Sequence, residues 1–197
     1  MRKPEYTKEK IIKESSILFN TKGYKTTSLS DITNATGFTK GAIYKHFENK
    51  DVLEMEAFEN MFKQITKTLL SKIKKENNSK DKLFAILDFF ETYITHPFIK
   101  GGCPILNVAI EFDNTNSPLK DKGRLGIKYL KDSVIKIITN GKKHNQIDPN
   151  LNEENFAILF IASIEGSIMM SNLNNNSNDI NIVSNFLRKY IEEKIIL

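Results

Sequence analysis

Apolar residues recur at spacings of three and four along almost the whole chain, the period of an amphipathic helix, and no segment shows the strict alternation of a strand. Ile11, Ile12, Leu18 and Phe19 begin the series. Gly23 stops this first helix, because glycine tolerates the left-handed conformation past a helix end. Ser28 caps a second, with Asp31 three residues on in a capping-box-like pattern; Leu29, Ile32 and Ala35 form its stripe and Gly37 ends it. Thr39 caps a third helix over residues 40–47, and Asn49 a fourth, whose stripe is Met55, Phe58, Phe62, Ile65, Leu69 and Ile73. Leu83, Ile86, Leu87, Phe90 and Ile94 mark a fifth, ended before Pro97. Pro104 opens a short sixth helix as a first-turn proline, and a seventh runs from about residue 118 to 140. The eighth, residues 153–170, is apolar nearly all round and must be buried on more than one side. After the Asn-rich SNLNNNSND loop, a last helix carries Ile182, Val183, Phe186, Leu187, Tyr190 and Ile191. The prediction is an all-α chain of about nine helices.

Two short helices joined by a turn at Gly37, behind a longer one, form a helix-turn-helix, whose second short helix enters the DNA major groove. That helix reads TGFTKGAIYKHF, an odd composition for a structural element, since a glycine inside a helix costs about 1 kcal/mol relative to alanine. With Phe38, Ile43 and Phe47 turned inward, Thr39, Lys40, Gly41, Tyr44, Lys45 and His46 are left for the outer side or its edges. Gly41 lets the backbone approach DNA closely. Thr39 and the adjacent amides can hold a phosphate. Tyr44 offers a hydroxyl to phosphate and a ring to a thymine methyl, and Lys40 can reach a guanine. Lys50 is expected to clamp a flanking phosphate, as are Thr26, Thr27 and Ser28. Singly, each of these residues has an ordinary surface or core reading; their gathering on one short helix favours double-stranded DNA.

Charge supports the same end of the molecule. The net charge is +5. Residues 1–50 hold 10 Lys/Arg against 5 Asp/Glu, and the remainder holds 19 against 19, so the whole excess lies in the first quarter. A basic segment joined to a neutral body suggests a polyanionic partner. The first 15 residues lack an apolar signal core. The longest apolar tract, residues 156–170, is shorter than a membrane span and contains Glu165, so a cytoplasmic protein without a membrane partner is expected. Cys103 is the only cysteine, which excludes an internal disulfide and reads as structural. His46, His96 and His144 have no neighbours at metal spacing, and no nucleophile elbow, Walker A or dinucleotide motif occurs. Neither a cofactor, nor a metal, nor an enzymatic activity is expected.

The stretch IIKESSILFNTKGYKTTSLSDITNATGFTKGAIYKHFENKDVL, residues 11–53, resembles the N-terminal domain of the TetR family of bacterial repressors. The matching parts are LF..KG at the end of the first helix, TSLSDI, ATGFTKG, IYKHF and KDVL. The resemblance implies a DNA-binding domain over residues 1–50 and an effector-binding and dimerisation domain over 51–197. It also implies a homodimeric repressor on a palindromic operator, released by a small, lipophilic molecule. A TetR-like DNA-binding protein without an effector, an architectural or cell-division factor or an activator, is the alternative. TetR-like proteins usually dimerise through their last two helices, which places Phe160, Ile164, Val183, Phe186, Leu187 and Tyr190 at the interface. GGCPILNVAIE is similar to a segment that borders the ligand cavity in one group of these regulators. Asn107, Glu111 and Phe112 are therefore expected in the pocket, with Phe62, Phe90, Tyr93, Tyr129 and Met169 as walls. A carboxylate at Glu111 among aromatics favours a lipophilic cation.

Overall fold

The computed structural model describes residues 4–197. Its elements are α1 (Pro4–Lys22), α2 (Leu29–Thr36), α3 (Lys40–Tyr44), α4 (Lys50–Ile73), α5 (Ser79–Thr95), α6 (Pro104–Glu111), α7 (Pro118–Lys143), α8 (Glu153–Leu173) and α9 (Asn178–Lys194). Among the described residues there is no strand, only an isolated antiparallel bridge between Ile147 and Ile196. The all-α expectation holds. The third helix is shorter than its apolar spacing suggested: α3 stops at Tyr44, and residues 45–47 continue as a turn in which Phe47 N–H still bonds to the Ile43 carbonyl.

The chain forms two compact units, residues 1–65 with 99–125, and residues 66–98 with 126–197. This differs from a linear boundary at residue 50, because α6 and the beginning of α7 belong with the N-terminal helices. In the first unit α1 packs on α2 and α2 on α3, around Ile11, Phe19, Tyr24, Ile32, Ile43, Phe47 and Leu53, all essentially buried. The caps expected from sequence form. Ser28 Oγ accepts from Asp31 N–H while Asp31 accepts from Ser28 N–H, and Gly37 closes α2 with φ +72°, a left-handed conformation costly to any residue with a Cβ.

In the second unit α8 packs on α9, and both pack on α5. At 21 residues α8 is long and apolar enough to cross a membrane by length and composition alone. Here one face buries Phe156, Ala157, Phe160, Ile164 and Ile168 inside this unit. Arg188 on α9 donates to Asp88 and Glu91 on α5 at 2.6 and 3.2 Å, and so ties those two helices along their edge.

Candidate nucleic-acid interface and ligand cleft

The outer side of α3 is built by its neighbours. Ile43 and Phe47 anchor it to the core, and Thr39 caps it by accepting from Ala42 N–H at 3.2 Å. What remains outward is Thr39, Lys40, Gly41, Tyr44 and Lys45, all exposed, with His46 half-buried beside Phe47. Tyr44 keeps 51% of its surface open. A Cβ placed on Gly41 would meet no atom within 4 Å. Nothing inside the chain therefore requires glycine there, and its helix cost has no internal compensation.

The residues flanking α3 divide differently from the sequence expectation. Ser28 is exposed and caps α2. Asp31, its partner, also accepts from Lys22 Nζ at 2.7 Å; that bond and the two from Ser28 hold its carboxyl well below the usual carboxylate range. Thr26 is exposed but its hydroxyl donates to the Lys22 carbonyl. Thr27, expected to meet a phosphate, is buried and donates to the Gly23 carbonyl at 2.6 Å, so its hydroxyl serves the loop. Lys50, expected to clamp a phosphate, makes contacts inside the chain. Its ammonium donates to the Tyr24 carbonyl at 2.6 Å, pairs with Glu54 at 3.1 Å and lies over the Phe19 ring. It fastens the start of α4 to the α1–α2 connection. Burial outweighs this pairing at Glu54 and pushes its carboxyl up.

The segment that was expected to border a ligand instead braces this first unit. Glu111 accepts from the backbone N–H groups of Tyr24 and Lys25 at 2.9 and 2.6 Å. Lys25 Nζ donates back to the Glu111 carbonyl at 2.9 Å and lies over the Phe112 ring, which meets Tyr24 edge-on. Asn107 Nδ2 reaches the Asn20 carbonyl, Asn20 Oδ1 and the Gly101 carbonyl at 3.2, 3.0 and 2.8 Å. Asn20 in turn donates to the carbonyls of Lys100 and Gly102. Gly101 has φ +96°, and a Cβ there would sit 2.3 Å from the Asn20 carbonyl oxygen, so only glycine allows the approach. Asn107, Glu111 and Phe112, expected in the pocket, thus brace the first unit and do not line the cleft of the second. Asn20 and Lys25 were missed. The one sequence signal was an asparagine directly after the buried run at the end of the first helix.

The second unit contains a narrow apolar cleft between α4, α5, α7 and α8, lined by Leu69, Ile73, Phe90, Tyr129, Phe160 and Ile164 among others. Of the expected wall residues, Phe90 and Tyr129 line it. Tyr93 is buried against Phe89 and Phe98, Met169 is exposed on α8, and Phe62 stacks on Phe58 in the first unit. The interface expectation also changes in part. Phe160, Ile164 and Leu187 are buried within their own unit; Val183 is half-buried, while Phe186 and Tyr190 stack on each other and stay exposed. Around them Ile158, Leu159, Met169, Met170, Leu173 and Ile182 are exposed on α8 and α9. Among the described residues no cluster of metal-ligating side chains occurs.

Two family profiles match the sequence, bacterial regulatory proteins of the tetR family over residues 11–55 and the tetracyclin repressor-like C-terminal domain over residues 79–187. The chain belongs to the TetR family of transcriptional regulators. A TetR transcriptional regulator from Chloroflexus aurantiacus J-10-FL has a similar crystal structure, with a TM-score of 0.96, 33% identity and full coverage of both chains. Among curated relatives, the transcriptional repressor DhaR of Mycobacterium sp. strain GP1 is 25% identical over 86% of this chain and 84% of its own. IcaR of Staphylococcus aureus, the negative regulator of the biofilm operon icaADBC, is 26% identical over 80% of each. The TetR family consists of DNA-binding regulators and not of enzymes.

Proposed function

We propose that this TetR regulator is a cytoplasmic, homodimeric repressor that binds a palindromic operator and is released by a small molecule bound in the second unit. The observation that carries DNA recognition is the outward face of α3. Four exposed residues, two of them lysines, surround a glycine that no neighbouring side chain requires. Such a face suits a groove, where lysines meet phosphates and Tyr44 reaches base edges.

The dimer reading rests on the large apolar side chains that α8 and α9 leave exposed, since apolar surface gathered in this way marks interaction sites. Phe186 is 67% exposed, Leu159 66% and Ile182 66%. A palindrome read by two copies of α3 requires half-sites one helical turn apart, about 34–36 Å. The repressor reading draws on DhaR and IcaR, both named for negative control. Effector release is a shift of population: a ligand that prefers a conformer with wrongly spaced recognition helices lowers operator affinity by the ratio of its two affinities. Helix α4 carries Lys50 and Leu53 in the first unit and Leu69 and Ile73 in the cleft, so a single helix forms the covalent path. Selection of DNA from a random pool tests the whole reading. Inverted repeats with that spacing support it, and recovery of DNA with no shared sequence contradicts it.

A further inference from the structure

The cleft does not end at its apolar part. Leu70, Ile73, Tyr129 and Ser133 line both the inner cleft and an open groove of about 570 Å³ that continues it. The inner part has only about 30 Å³ of open volume, room for a water or two, and its exposed lining is almost wholly apolar. Glu165 contributes to it, but the carboxylate Oε2 is out of contact with solvent.

The groove is chemically different. Lys74 follows the end of α4, Lys82 lies in the first turns of α5 and Lys136 on α7, and all three line it. None of them takes part in a salt bridge among the described residues, whereas Lys80, Lys128, Lys131 and Lys142 on the same elements do. Two acids, Glu76 and Asp132, share the groove, and Asp132 is already held by Lys128 Nζ at 2.5 Å. Three lysines from three elements therefore face one uncommitted carboxylate. The balance at the mouth is positive.

The geometry points to an anionic amphiphile as the ligand class, with an apolar chain or ring entering the cleft and a carboxylate or similar head at Lys74, Lys82 and Lys136. This rests on the reading that the cleft is the effector site. A cation, the class that Glu111 suggested, loses that carboxylate, because Glu111 is bonded to Tyr24 and Lys25 in the other unit. Glu165 lines the inner cleft with Oε2 out of contact with solvent, and at the mouth Glu76 is outnumbered by the three lysines. Because the inner cleft is nearly closed, an apolar chain has to spread its walls. The bound state thereby differs from the unbound one, as a ligand that shifts a population requires.

Decanoate, decan-1-ol and decyltrimethylammonium carry alkyl chains of nearly equal length under heads of negative, zero and positive charge. Calorimetric titration of the full-length protein with each, at low salt, tests the inference. Decanoate is expected to bind about threefold to tenfold more tightly than the alcohol, the range for two or three partly exposed charge pairs, and the ammonium more weakly than the alcohol. The double substitution Lys82→Gln, Lys136→Gln is expected to bring decanoate close to the alcohol while leaving the alcohol unchanged. Ammonium binding as tight as decanoate, or decanoate binding indifferent to the double substitution, overturns the anion assignment alone. Failure of all three to bind a folded protein that still holds operator DNA removes the effector reading and this inference with it.

Discussion

The Glu111 carboxylate bridges two consecutive backbone amides, those of Tyr24 and Lys25, at 2.9 and 2.6 Å. The segment it holds leads directly into α2, so α6 sets the path of the chain just before the helix-turn-helix. Glu111→Ala leaves two amides without their charged acceptor, a loss of about 1–3 kcal/mol. The expected outcome is a lower Tm, faster hydrogen exchange at Tyr24 and Lys25, and weaker operator binding, with partial recovery in Glu111→Gln, which keeps one acceptor. Unaltered exchange at both amides would show that the carboxylate does not hold them in solution.

Lys50 gives an opposite expectation from a phosphate contact. Its ammonium is committed to the Tyr24 carbonyl and to Glu54. Lys50→Ala should destabilise the first unit, by about 1–3 kcal/mol, because it leaves a largely buried carboxylate without its partner. The dependence of log affinity on log salt should keep its slope. A slope reduced by about one charge would restore Lys50 to the phosphate-binding set.

The difference between these two residues and α3 explains what was legible in the sequence. Ser28, Asp31, Gly37 and Thr39 act within three or four residues of themselves, so their caps and turns could be read from spacing. The inward and outward sides of α3 followed from Ile43 and Phe47 for the same reason. Glu111 and Asn107 act on residues 86 to 87 positions away, and no local pattern encodes such a partner. Phe160, Ile164 and Leu187, expected at the interface, are buried within their own unit, which was not legible for a related reason. An apolar face reads the same in sequence whether its partner is α5, α9 or a second copy of the chain. Only burial within the unit separates them from Phe186 and Tyr190.

Tyr24 is fully buried, stacks on Phe19, and its hydroxyl has no hydrogen-bond partner among the described residues. Burial, then the charges of Glu54 and Glu111, push its ionisation well above the usual phenol range. An unsatisfied buried hydroxyl carries a desolvation cost of about 1–3 kcal/mol. Tyr24→Phe retains the ring and removes the hydroxyl, so chemical denaturation should show equal or greater stability at an unchanged m-value. A loss of more than about 1 kcal/mol would mean that the hydroxyl is satisfied in solution.

Phe186 separates interface from core. It is exposed in the single chain and stacks on Tyr190, so Phe186→Glu should leave the fold intact and place a charge in an apolar seam at a cost of several kcal/mol. Sedimentation is expected to show folded monomers at concentrations where the parent chain is dimeric. A dimer that survives the substitution would move the interface off this part of α9.

The central claim, that the outer face of α3 reads DNA, is tested most directly by Tyr44→Ala. Tyr44 is half-exposed, so its loss should leave Tm and oligomeric mass where they were. Fluorescence anisotropy at fixed salt, on the operator enriched from a random pool, is predicted to show affinity lower by about 1–3 kcal/mol, roughly fivefold to 150-fold in Kd. An unchanged Kd for the folded variant would contradict the account.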